Sequence, residues 1–569
     1  MALSRFRSNL RFAFRKEASE TRNDVPLNQF EKYGNLIKVI ILPFIISFFS
    51  SCQSSSKKNV ENKNELHTSL SSVPPSLDPR IASDSISECL MQMLFTGLTY
   101  CDANNQIQLA IADKVVISEN QKTYIFTLKE TRWSDGSPLT AFDFERGWKQ
   151  QLRPDFPSPS AHLLYLIKGA REAKAGQASL ESVGVKAMDE KTLIIELEMP
   201  TSYFLEVLAF HAFYPIPSSL DKGIYANEVE YSSFISCGPF KLQKYQNDRL
   251  IVLQKNEHYW DADRTALQGV HFHVISDPNT ALLLFEKGEL DWLGAPLSEL
   301  PTEAISALKQ KNLLHVTPIA GLKMLLFNTE KVPFNNANIR KALSIAIDRQ
   351  SIIDNIVQLN NVPALGLIPP VQKQERWHPL FHDHDLAQAR ELFTKGLKEL
   401  NMNSEDLPEL VISFNNSLLW NKVIQAIQQQ WLEAFNLPCK IEHCDWKVHL
   451  NKIENGNFQI GRYGWACQYN DPENLFELFK SKEHFNNPTG WQHADYITYI
   501  DRARNASDKK TRNELLESAE LIFTAEMPII PLFYDQCAYV QHSNLKGVYV
   551  TPLLAVDFRF AYFETNSRP

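Results

Sequence analysis

Three spacings that would announce a chemistry are missing from this chain of 569 residues. It has no H-E-x-x-H, no G-x-S-x-G and no G-x-x-x-x-G-K-[ST], so no zinc-protease helix, nucleophile elbow or phosphate-cradling loop is written into it. No C-x-x-C occurs among the 8 cysteines, which argues against a structural zinc site. Basic charge is not in excess: 58 Lys and Arg face 66 Asp and Glu, leaving no electrostatic footprint for nucleic acid. No internal repeat is found. Long hydrophobic runs are absent too, since the apolar segment over 36–49 is shorter than the roughly 20 residues that span a bilayer. What remains is an ordinary soluble composition, 44% hydrophobic and 22% charged, in a chain long enough for two or three lobes.

The apolar segment is an address. Lys32 and Lys38 flank it, and Ser50-Ser51-Cys52 follow, which fits a secretory signal ending in small residues. The arrangement resembles a bacterial lipoprotein processing site and would make Cys52 the lipidated first residue of the mature chain. Phe49 departs from the leucine usual three residues before such a cysteine. Plain signal-peptidase cleavage and an uncleaved anchor are the alternatives. Residues 1–35 form an unusually long Arg-rich extension, read as an over-long gene start or a long leader. Residues 1–51 hold eight basic groups and four acids, so their removal moves the net charge from −8 to −12. Residues 52–65 are polar and low in complexity, as a flexible tether would be. Seven cysteines then remain, an odd number, so at least one free thiol or an intermolecular bond is expected. Cys439 and Cys444 lie five apart on an expected strand, on opposite faces, and make a poor disulfide.

Along the body, Thr140 with Asp143 three residues on forms a capping box, ahead of Phe144, Trp148 and Leu152 at helical spacing. Leu193, Ile195 and Leu197 alternate as a half-buried strand. Residues 255–261 read as an ordered loop pinned by Tyr259 and Trp260. A short strand is expected over 324–327, and Asn336 caps a helix carrying Ile339, Leu343 and Ile347. Further helices are expected over 385–400, 418–435 and 511–525, with strands over 439–443 and 529–540. Alternating helices and strands indicate α/β lobes.

The most informative stretch covers 462–472, R-Y-G-W-A-C-Q-Y-N-D-P. A strand-like run of Phe458, Ile460 and Arg462 is expected to break at Gly464, which removes a side chain where another backbone could approach. Trp465 offers a flat surface with one donor, and Asp471-Pro472 turns the chain. The pattern suits a groove in which an extended ligand lies against protein backbone.

Several segments together identify a resemblance: S-L-D-P (76–79), L-F-T-G-L (94–98), R-W-S-D-G-S-P-L-T-A-F-D-F (132–144), G-V-K-A-M-D-E-K-T-L (184–193), K-N-E-H-Y-W-D (255–261), F-N-N-A-N-I-R-K-A-L-S-I-A-I-D-R (334–349) and G-W-A-C-Q-Y-N-D-P. In this order, over roughly residues 66–563, they resemble the family-5 extracytoplasmic solute-binding proteins of oligopeptide ABC transporters. The resemblance implies an α/β fold of the bilobed periplasmic-binding-protein kind, class II with an extra domain on the first lobe. The expected division is a first lobe of 66–85, 204–320 and 536–569, an extra domain of 86–203, and a second lobe of 321–535. The implied partners are a peptide or peptide-like ligand and the membrane permease subunits of an ABC importer. The protein would act as a monomer, lipid-anchored on the periplasmic face of a bacterial membrane, with no cofactor. The family also includes binders of murein peptides, metal chelates and haem, which stay open as alternatives.

In such proteins ligand backbone pairs with protein backbone, and wet pockets accept varied side chains. By resemblance the ligand-binding residues would be Arg462, Gly464, Trp465, Ala466, Cys467, Gln468, Tyr469 and Asp471. The second pairing segment would be Val73-Pro74-Pro75, where two prolines remove two backbone donors. Gln468 is the main departure, standing where oligopeptide binders carry an aspartate for the ligand's α-ammonium. An amide offers one neutral carbonyl in place of a charged carboxylate. Either Asp471 or another carboxylate substitutes, or the ligand lacks a free amine there. Arg462 matches the family arginine near the ligand's carboxylate end. Cys467 sits one position after the family's cysteine, and a buried free thiol is an equal reading. The cluster His378, His382, Asp383, His384 and Asp385 is read as a helix start with Asp385 as N-cap, not a metal site. The charged stretch 501–520 is read as a solvated helix face. A secreted hydrolase is the competing class, and no spacing favours it.

Overall fold

In the computed structural model, residues 64–221, 233–246, 249–372, 378–482, 487–506 and 508–564 are described. The expected signal segment, Cys52 and all but the end of the tether lie outside them. No helix among the described residues is long and apolar enough to cross a membrane.

The strands that organise the molecule are β1 (Glu65–Leu70), β2 (Ala112–Ile117), β3 (Thr123–Leu128), β4 (Val185–Ala187), β5 (Thr192–Glu196), β6 (Phe240–Gln246), β7 (Leu250–Lys255) and β8 (Gly269–Val274). They continue with β9 (Trp292–Gly294), β10 (Leu314–Phe327), β11 (Leu410–Asn415), β12 (Cys439–Cys444), β13 (Ile460–Ala466) and β14 (Ile529–Gln541). Ten of them form one sheet in the order β6-β7-β8-β1-β9-β14-β10-β13-β11-β12. The sheet begins earlier than the tether reading allowed, because Glu65 already pairs with Gly269, and Leu66 and Leu70 are fully buried. β2, β3, β5 and β4 make a separate antiparallel sheet. Its Tyr124, Phe126, Leu193 and Ile195 face a core shared with Phe144 and Trp148 of the helix Ala141–Gln151. That helix has the expected capping box of Thr140 and Asp143.

Two long strands run through both halves of the large sheet. β14 pairs with β9 near Val540 and with β10 from Leu314 to Leu326. The expected strand over 324–327 is therefore the end of a 14-residue strand. Its first half alternates from Leu314 to Thr317, but Pro318 interrupts the pattern and hid the continuation. Register slips between Pro318 and Leu322, in the middle of the shared strands. Apolar cores lie on either side of this point. One is drawn mainly from residues before 300 with the C-terminal segment, and two others are drawn from residues between 320 and 534.

The second half follows its local signals closely. Asn336, Asp385, Ser417 and Asp508 accept backbone N–H bonds at the starts of the helices Ala337–Ile345, Leu386–Leu400, Leu418–Phe435 and Lys509–Glu526. Ile347 is buried but falls just beyond its helix, whose C-cap is Ala346. Asn436 takes the left-handed conformation that ends the third of these helices, as its neighbours Leu437-Pro438 suggested.

Candidate ligand-binding site

β13 does not break at Gly464. It continues to Ala466, paired antiparallel with β10 from Ile460↔Phe327 to Ala466↔Gly321. On its other side β11 reaches only Ile460 and Gly461. The expected break follows glycine's general weakness in strands, but here the β10 ladder holds that position.

The backbone pattern of this strand is decisive. Asn328 N–H donates to Gln459 O at 2.9 Å, and Cys467 N–H donates to Ala320 O at 2.8 Å. Antiparallel residue pairs alternate between bonded and non-bonded, so odd-numbered positions from 459 to 467 bond to β10. The N–H and C=O groups of residues 462, 464 and 466 therefore point the other way. His449 Nε2 donates to the Arg462 carbonyl at 2.8 Å. No strand among the described residues pairs with the edge at Gly464 and Ala466. Two consecutive outward-facing peptide positions are left for an added strand.

One face of β13 carries Arg462, Gly464 and Ala466, and the other carries Tyr463, Trp465 and Cys467. On the first face Lys323 lies opposite Gly464, and its Nζ is 2.5 Å from Asp535 Oδ2. A Cβ on Gly464 would meet the Lys323 side chain at 3.2 Å. The Arg462 guanidinium carbon lies 4.6 Å from the Trp420 ring centre and 5.4 Å from that of Trp446. Its Nε has no hydrogen-bond partner. Burial pushes the Arg462 pKa down to about 10, with Asp535 opposing that drop. This face thus holds two cations and one carboxylate, with a guanidinium short of an anion. Lys323 and Asp535 were not foreseen. They come from strands 139 residues before and 73 residues after Arg462, and only the sheet order brings them to it.

The remaining expected site residues are engaged within the protein. Trp465 is half-buried against the second half's core, and its Nε1 donates to Asn474 Oδ1 at 2.8 Å. Cys467 is buried, its thiol raised by desolvation, and all seven described cysteines are free. Gln468 Oε1 lies 3.1 Å from His162 Nε2, and His162 Nδ1 lies 3.2 Å from the Pro159 carbonyl. A carbonyl can only accept, so Nδ1 carries a proton. The His162 ring thus links Gln468 to the Pro159 carbonyl. Tyr469 stacks on Tyr203 with ring centres 5.0 Å apart. Gln468 and Tyr469 therefore join β13 to the segment that includes His162 and Tyr203.

Asp471 does not fit the expected ammonium-acceptor role, because Arg512 donates to both of its oxygens at 3.0 and 2.7 Å. Glu473 is fully buried beside it and accepts from Arg512 at 3.1 Å and from Arg504 Nε at 2.6 Å. Burial holds the Glu473 carboxyl above its ordinary range. The stretch 501–520 is solvated over most of its charged residues, as expected, with two exceptions. Arg512 and Glu520 are buried, and Glu520 Oε1 accepts from the Leu367 and Ile368 amides. Sequence spacing could not tell a charge aimed at solvent from one aimed at a buried partner.

Val73-Pro74-Pro75 lies outside any strand, after β1 ends at Leu70. The His378–Asp385 group disperses as expected: Asp383 pairs with Arg349 at 2.8 Å and Asp385 caps its helix. Among the described residues, Glu65, His67 and His271 do have metal-ligand spacing. They lie on β1 and β8, more than 200 residues apart in sequence.

Comparison with known proteins places this geometry. The model for "Bacterial extracellular solute-binding proteins, family 5 Middle" matches residues 106–487. The chain belongs to this family. It is 40% identical over 513 residues to the oligopeptide-binding protein OppA of Bacillus subtilis, covering 89% of this chain and 94% of that protein. It is 31% identical over 516 residues to the dipeptide-binding protein DppE of the same organism, covering 89% and 93%. The solved structure of the Escherichia coli murein tripeptide binding protein MppA superposes with a TM-score of 0.76 at 25% identity, covering 88% of this chain and 99% of that one. The fold is therefore the bilobed α/β fold of these binding proteins, and the family is one of extracytoplasmic solute binders.

Proposed function

We propose that this protein captures oligopeptides or peptide-like ligands by strand addition at β13 and delivers them to the permease subunits of an ABC importer. The carrying observation is the unpaired strand edge at Gly464 and Ala466 beside an Arg462 guanidinium that lacks an anion. An extended peptide would bond to that edge through its backbone, and its carboxylate would meet Arg462 and Lys323. Ala466 and Gly464 serve through main chain. Trp465 and Cys467 support the strand from behind. Gln468 and Tyr469 act where the two lobes meet. The names of the similar proteins, oligopeptide- and dipeptide-binding, support the ligand class.

The proposal keeps the lobe division given above, with closure about the register slip between Pro318 and Leu322 of the two shared strands. It also keeps lipid attachment at Cys52. Melting of the purified protein with tri-alanine is expected to shift upward, since a ligand specific to the native state stabilises it. Mass spectrometry of co-purified ligand should return peptides. A retained metal chelate or haem, with no shift by any peptide, would overturn this reading.

Gln468 favours a second reading of the ligand's amino end. An amide in contact with His162 gives an α-ammonium no charged partner, so the preferred ligand is one without a free amine there. A modified murein peptide belongs to that class. N-acetyl-tri-alanine should then bind about as well as tri-alanine, and a strong preference for the free amine would sink the idea.

A further inference from the structure

The outer face of β1 and β8 gathers four groups that peptide binding does not use. These parallel strands pair His67 directly with His271, with Glu65 two residues before and His273 two residues after on their own strands. Residues two apart leave a strand on the same side. Glu65, His67, His271 and His273 thus share one face, while Leu66, Leu70, Val270 and Phe272 are buried on the other. The His67 ring stacks on His271 at 4.5 Å and on His273 at 5.4 Å. His271 Nε2 lies 3.3 Å from Glu65 Oε2, and His67 Nδ1 lies 3.1 Å from His273 Nε2. One ligand atom each from Glu65, His67 and His271 fall within 4.8 Å of one another.

Two ligand atoms on one tetrahedral ion with bonds of about 2.0–2.1 Å are separated by roughly 3.3 Å. The Glu65–His271 pair already has that separation, and a ligand atom of His67 lies within 4.8 Å of both, so its ring must turn to close the site. We propose that Glu65, His67 and His271 bind one divalent transition-metal ion, with His273 hydrogen-bonded to His67 as the group that orients its ring. Two imidazoles and a carboxylate select borderline ions such as Zn2+, Ni2+ or Cu2+ over Mg2+ or Ca2+, which prefer all-oxygen shells. A histidine ligand held through its second nitrogen is the usual arrangement at such sites. Water would complete the shell on the exposed side. The ion would fasten β1 to β8, and the site shares no residue with the peptide edge.

Calorimetric titration of the chelator-stripped full chain with Zn2+ alone tests this. One equivalent should bind, Glu65→Gln should weaken binding at least about tenfold, and the His67→Ala/His271→Ala double variant should abolish it. Zn2+ should raise the melting midpoint of the parent and leave that of the double variant unmoved. The double variant's retained response to tri-alanine, or failing that its unchanged far-UV spectrum, shows that it folds. His382→Ala/His384→Ala should bind Zn2+ like the parent. No stoichiometric binding, binding that survives the double variant, or binding lost with the 382/384 variant overturns the proposal.

Discussion

Replacing Arg462 by Met separates the cost of a lone guanidinium from its use. Burial depresses its pKa from the ordinary arginine value to about 10, and Asp535 recovers only part of that drop. The gap converts to at most about 3 kcal/mol of unrelieved desolvation. A base whose folded pKa is depressed disfavours the folded state while charged, so this cost is fully present below about pH 10 and fades as the pH rises toward the ordinary arginine value. Trp420 and Trp446 return about 1–2 kcal/mol by cation–π contact. Arg462→Met should therefore leave the ligand-free protein at pH 7 between unchanged and about 2 kcal/mol more stable in denaturant unfolding. Binding should move the opposite way. A charge-assisted bond to a ligand carboxylate contributes about 1.5–3 kcal/mol, which is about 10- to 150-fold in affinity. The assay is calorimetry of parent and variant with tri-alanine and with its C-terminal amide. The parent should prefer the acid by that factor, and the variant should bind both alike. A parent indifferent to the amide, or a variant that loses both ligands equally, refutes the reasoning.

Ala466→Pro deletes one outward N–H of the open edge without touching the β10 ladder. It should weaken peptide binding about fivefold while leaving the unfolding midpoint near the parent's. Arg512→Ala strands Asp471 and leaves Arg504 as the one cation on buried Glu473, and should cost about 3–5 kcal/mol of stability by denaturant unfolding. That loss should shrink as pH falls through the raised titration range of Glu473, because a protonated carboxyl needs no cation. Among the described cysteines, thiol titration of the folded protein should modify Cys444 first. The Cys101 thiol is pushed up to about 12 by burial and should lag, and the buried thiols should react only on unfolding.

Much of the fold was legible because its signals are local. Capping side chains act within three residues, so Thr140, Asn336, Asp385 and Asn436 marked helix ends correctly. Strand alternation marked β5 for the same reason, and a strand-like run marked β14. Where local signals conflicted with the sheet, the sheet won. Gly464 sits inside β13 because β10 supplies a full ladder, and Pro318 sits inside β10 because β14 pairs with it.

The sequence by itself determined that residues 462–472 are the distinctive segment, that the chain is of the family-5 kind, and that Gln468 departs from it. Tertiary structure alone decided what each of those residues does. It directed the main chain of Gly464 and Ala466 outward, set Lys323 and Asp535 beside Arg462, and gave Asp471 to Arg512. It also brought Glu65, His67 and His271 onto one face. The reason is range. A cap or a strand period is encoded within a few residues, whereas an ion pair or a ligand cluster depends on which strands become neighbours, and that is set by burial across the whole sheet.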